Sequence, residues 1–69
     1  MRFGETVSYY LISLDMQASE LCEKTGLSKS YISKLRSGDV AEPTFDKALK
    51  IIDALGVDVD EFVEKQKEG

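Results

Sequence analysis

Between positions 24 and 36 the chain carries four cationic side chains, Lys24, Lys29, Lys34 and Arg36, and no carboxylate. The hydroxyls of Ser28, Ser30 and Ser33 are interleaved with them. An uncompensated positive segment of this kind is the footprint of a polyanion site. The rest of the chain is acidic. Residues 1–23 hold one Arg against four acids, and residues 37–69 hold four Lys against nine acids. The net charge of the whole is −4. That balance argues against a protein that coats nucleic acid by charge alone, since generic phosphate affinity comes from many Lys and Arg.

Other chemistries have little to build on. The 69 residues contain no His, which removes Ser-His and Cys-His pairs and imidazole metal sites. Cys22 is the one cysteine, so no internal disulfide forms, and it reads as a small core residue rather than a redox switch. The acids Asp58, Asp60, Glu61 and Glu64 complement the start of a helix, with no loop of calcium-ligand spacing around them. No glycine-rich phosphate loop is present. No catalytic residue, metal or cofactor is expected, and no enzymatic activity. No apolar run reaches the roughly 20 residues that span a bilayer, and the first residues lack a signal-peptide pattern. The expectation is a cytoplasmic protein with no membrane association.

The elements that must position the basic segment are helices. No stretch keeps a two-residue alternation, whereas apolar residues recur at three and four. A first helix is expected over Glu5–Leu14, with Phe3, Val7, Tyr10, Leu11 and Leu14 inward. The next helix starts share one pattern, an apolar residue before the cap and another four residues after it. Met16, Gln17 and Leu21 form the first example, Leu27, Ser28 and Ile32 the second, and Val57, Asp58 and Phe62 the third. Asp58 with Glu61 reads as the strongest capping box, and Gln17 as the weakest cap. Between them a helix follows Pro43, capped by Thr44, with Phe45, Ala48, Leu49, Ile52 and Leu55 on one stripe and Gly56 at its end. The polar tail from Glu64 is expected to fray. The fold expected is all-α: one compact five-helix domain spanning residues 1–69. A chain this short buries only about 60% of the surface exposed when unfolded, so its core is small.

The join between the second and third helices is the informative one. Gly26 permits a sharp turn, Leu27 points inward after it, and the small Cys22 lets the third helix cross the second closely. The stretch Gly26–Gly38, GLSKSYISKLRSG, resembles the turn and recognition helix of the lambda-repressor/Cro family, also called the XRE family. Pro43-Thr44 and the segment Ala54–Phe62, ALGVDVDEF, resemble its later helices. The similarity covers roughly Val7 to Val63, with the motif at about 17–37.

The resemblance implies a lambda-repressor-like domain that binds operator sequences in double-stranded DNA with its third helix in the major groove. The N-terminal residues of such a helix meet base edges. The matching positions are Ser28, Lys29, Ser30 and Lys34, flanked by Tyr31 and Ser33. Lysine can donate to guanine O6 and N7, and serine to any base or a phosphate. Ser37, the Gly38 amide and Thr44 match positions that contact backbone phosphates, and Gln17 stands one place before another. Val57, Val59 and Val63 lie where the family often pairs, so a homodimer is expected, at least on DNA.

The chain departs from the family pattern in several places. Ala18 stands where Gln is common at the first motif position. Leu11 and Arg36 stand where many members pair an Arg with a Glu, so that ion pair is missing. Asp39 and Glu42 fall in a loop that is often basic, and Tyr9 and Tyr10 where bases are common. Modest, salt-sensitive DNA affinity is therefore expected. The function this implies is a small transcriptional regulator, a Cro- or repressor-type protein of a phage or other mobile element, acting by operator occupancy. A second expectation belongs to another class: a protein-interaction module on the same scaffold, an antirepressor or antitoxin with a protein partner. The negative net charge, Asp39, Glu42 and the two tyrosines favour it.

Overall fold

A computed structural model describes residues 1–68. Five helices follow one another: α1 (Phe3–Ser13), α2 (Ala18–Thr25), α3 (Lys29–Ser37), α4 (Phe45–Leu55) and α5 (Val59–Lys67). No strand occurs among the described residues. α1 packs on α3 and α5, while α4 packs on α2 and α5. Their inner faces meet in one cluster of Phe3, Val7, Tyr10, Leu11, Leu21, Ile32, Leu35, Ile51, Ile52, Leu55 and Phe62. Phe62 sits at its aromatic end, with ring centroids 4.8 Å from Phe3 and 5.8 Å from Tyr10.

Three expected core positions lie elsewhere. Leu14 is half exposed, because α1 ends at Ser13 and Leu14 is its C-cap. Phe45 and Leu49 are exposed, and the stripe of α4 runs instead through Ala48, Ile51, Ile52 and Leu55. That set keeps a three-and-four spacing, rotated away from the helix's first residue.

The caps differ from expectation in one exchange. α1 starts at Phe3 because the Glu5 carboxylate accepts the Arg2 backbone N–H at 2.8 Å. At α5 the Asp58 side chain makes no capping bond. Glu61 faces α1 instead and accepts the Tyr10 hydroxyl at 3.4 Å. Ser28 and Thr44 do cap α3 and α4, while Gln17 begins α2 without a side-chain bond. At the C-terminal end of α5 the amino group of Met1 donates to the carbonyls of Gln66 and Glu68 at 2.6 and 3.1 Å. A cation there complements the negative end of the helix dipole.

α1 crosses α3 at Gly4. A Cβ built on Gly4 would lie 1.9 Å from the Leu35 carbonyl oxygen and 3.1 Å from the Arg36 Cα. Only a bare Cα allows the two backbones to come this close. The register of α3 against the body is set at this crossing.

Burial raises the Tyr10 hydroxyl pKa above the ordinary tyrosine value, and the neighbouring Glu61 carboxylate raises it further. The folded protein therefore holds this proton more tightly than the unfolded chain. Stability from this group is complete below about pH 10 and falls as pH rises through the raised folded value. Tyr10→Phe is expected to fold and to lose less stability between pH 9 and 11 than the wild type, as read by urea denaturation. An equal loss in both proteins would contradict the assignment.

Candidate nucleic-acid interface

The turn between α2 and α3 is fastened from both sides. Gly26 takes φ 74°, in the left-handed region, and its N–H donates to the Cys22 carbonyl at 2.8 Å. Thr25 is buried, and its hydroxyl donates to the Leu21 carbonyl at 2.8 Å and accepts the Leu27 N–H at 3.2 Å. Thr25 carries no sequence signal beyond its place before Gly26. It satisfies a backbone donor that the sharp turn would strand. Leu27 packs against the core edge, and Ser28 accepts the Tyr31 N–H at 3.0 Å. A serine cap of this kind is worth about 1 kcal/mol.

α3 is thereby anchored by Ile32 and Leu35, both nearly inaccessible. Its outer face presents Ser28, Lys29, Ser30, Ser33 and Lys34, all exposed. Tyr31 differs from these five. It is half buried, and the Lys47 ammonium of α4 sits 4.5 Å from its ring centroid. The stacked cation ties the ring toward α4.

A groove runs beside this face between α1, α2 and α3. Ser8, Gln17, Lys29, Ser33, Arg36 and Ser37 contribute to its lining, with Cys22 and Ile32 at its base. The groove gathers Gln17, Lys29, Ser33 and Ser37 from the expected set. Thr44 stands apart at the start of α4, where its hydroxyl accepts the Lys47 N–H at 3.5 Å. The Gly38 amide is engaged within the helix end, donating to the Leu35 carbonyl at 3.3 Å. The Ser37 hydroxyl donates to the Lys34 carbonyl at 3.1 Å.

The electrostatics of the basic segment are narrower than its sequence. Lys24 pairs with Glu20 at 3.3 Å, so its charge is compensated. Lys29, Lys34 and Arg36 form no salt bridge among the described residues. Arg2, outside the segment, brings its guanidinium against Gly38 at the end of α3. The missing α1–α3 ion pair has a replacement. Leu11 is core, and the Arg36 Nε donates to the Ser8 hydroxyl of α1 at 3.0 Å. Ser8 and Arg2 escaped the sequence reading because only the α1–α3 crossing brings them to α3.

The expected pairing surface is divided. Val57 is half buried against the core, whereas Val59 and Val63 are exposed one turn apart on α5. No helix of the described residues is long and apolar enough to cross a membrane.

The helix-turn-helix family model matches residues 7–62, which takes in the whole of α2 through α4 and most of α1. No curated protein and no solved structure matches the chain. The match, the five-helix packing and the exposed basic face of α3 agree: the chain belongs to the lambda-repressor-like helix-turn-helix family of DNA-binding regulators.

Proposed function

We infer that this protein is a small sequence-specific transcriptional regulator, a Cro- or repressor-type protein of a phage or mobile element. It occupies operator DNA with α3 in the major groove and thereby excludes polymerase. The observation that carries this reading is the outer face of α3. Lys29 and Lys34 are exposed there without acidic partners, on a helix anchored from behind by Ile32 and Leu35.

In this reading Lys29 and Lys34 donate to guanine O6 and N7, and Ser28, Ser30 and Ser33 contact bases or nearby phosphates. Tyr31 contributes its hydroxyl edge, because its ring is held by Lys47. Gln17, Ser37, Gly38 and Thr44 are backbone-phosphate positions. Ser37 and Gly38 serve there by exchanging the intrahelical bonds they make in the free protein. Val59 and Val63 form the seam of a homodimer, with Val57 behind them. Two α3 helices would then read half-sites roughly 34–36 Å apart. The site of action is the bacterial cytoplasm.

The test is a selection from randomised DNA duplexes with purified protein at low salt. The expected result is a palindrome whose half-sites lie one helical turn apart. Enrichment of a single half-site would remove the dimer, and no enrichment by folded protein would overturn the reading.

A protein-interaction role has its own support in the exposed Ile12 and Phe45, each more than three-quarters accessible. Large exposed apolar side chains favour protein partners. Under that reading the selection enriches nothing, and a partner protein is held by the α1 and α4 surfaces instead.

A further inference from the structure

We propose that Arg36 binds a DNA backbone phosphate at the mouth of the α1–α2–α3 groove, and that Ser8 is the residue that positions it. This rests on the DNA-binding reading above and adds a contact outside the base and phosphate positions named there. Arg36 is exposed, lines the groove with Lys29, Gln17, Ser33 and Ser37, and forms no salt bridge among the described residues. A guanidinium lacking a carboxylate partner retains its full charge for an incoming anion.

The tether decides which part of the side chain is available. Ser8 takes the Nε–H at 3.0 Å. The four N–H groups on the two Nη atoms then form a planar end-on fork, which matches two oxygens of one phosphate. A long side chain otherwise loses rotamer freedom when it binds. Here the hydrogen bond to α1 has already restricted it. The helix that carries Ser8 is itself locked to α3 at Gly4, so tether and guanidinium share one rigid crossing. Lys29 lines the same groove and supplies the second positive charge.

The experiment measures affinity for a selected duplex against salt concentration for the wild type, Arg36→Gln, Arg36→Lys and Ser8→Ala. Each neutralised phosphate contributes about 0.9 to the slope of log K against log salt. Arg36→Gln is expected to lower the magnitude of that slope by about one and the affinity at 0.1 M salt by roughly five- to tenfold. Preference for the selected sequence over a scrambled one should not change, because a phosphate contact carries no base information. Arg36→Lys should keep the slope and lose part of the affinity. Ser8→Ala should keep the slope and weaken binding severalfold, through loss of the tether alone. A wild type that binds, with Arg36→Gln matching its slope, would overturn the phosphate contact and leave the regulatory reading standing. A slope reduced as expected but affinity unchanged in Ser8→Ala would overturn the positioning role. A wild type that binds no duplex would overturn both readings.

Discussion

Gly4→Ala is expected to destabilise the protein by about 3 kcal/mol or more. A helix-propensity argument gives the opposite sign, since alanine is better than glycine in a helix interior by about 1 kcal/mol. The decisive quantity is the 1.9 Å between the new Cβ and the Leu35 carbonyl oxygen. The atom to be displaced belongs to backbone inside α3, so relief requires the two helices to separate. Separation exposes Val7, Leu11, Ile32 and Leu35 together. A domain of this size has a total stability of about 3–10 kcal/mol, so a cost of 3 is a large share of it. Urea denaturation of Gly4→Ala beside Ser13→Ala checks the argument. Ser13 is exposed on the same helix, and its substitution should stay within about 0.5 kcal/mol of the wild type. A Gly4→Ala protein as stable as the wild type would show that α1 and α3 are not in contact at this point.

The largest functional effect is expected from Lys29→Ala combined with Lys34→Ala. Both side chains are exposed, so the double variant should fold with stability within about 0.5 kcal/mol per site of the wild type. Each lysine on a guanine edge is worth about 1–3 kcal/mol of discrimination. Together they should lower affinity for the selected duplex by about 100-fold or more and flatten sequence preference. The contrast with Arg36→Gln is informative: loss of a base contact relaxes specificity, and loss of a phosphate contact does not. Electrophoretic mobility shifts on selected and scrambled duplexes separate the two. Unchanged binding by a folded double variant would remove Lys29 and Lys34 from the DNA-contact surface and overturn α3 as the reading helix.

Helix number and order were legible in the sequence because the punctuation is local. Ser28 and Thr44 cap by their own hydroxyls, and Gly26 and Gly56 each adopt a positive φ that their type permits. Inner faces were legible where a helix is held on both sides, as with Ile32 and Leu35. Periodicity failed at helix ends, and once inside α4, where Leu49 lies off the buried stripe. Leu14 continues the spacing of α1 but falls past its last turn, and Phe45 occupies the first turn of α4, beyond the reach of its neighbours. Asp58 and Glu61 show a different limit. A capping pattern competes with tertiary partners, and the Tyr10 hydroxyl on α1 takes Glu61.

The candidate site was legible to the same degree. The candidate residues on α3 itself were assigned from charge and motif position, and their exposure is what the fold adds. Ser8, Arg2 and Gly4 were not, because their roles come from where α1 crosses α3, a fact absent from their own residue types. Lys24 was overcounted as a free cation, although Glu20 at four residues' spacing could have signalled the pair.

Backbone amide chemical-shift mapping with the selected duplex shows directly whether α3 is the DNA-reading helix. The largest shifts are expected at residues 28–34, smaller ones at Gln17, Arg36, Ser37, Gly38 and Thr44, and none elsewhere outside the dimer seam on α5. Shifts centred on Ile12 or on Phe45 and Leu49, with α3 unmoved, would contradict that role of α3.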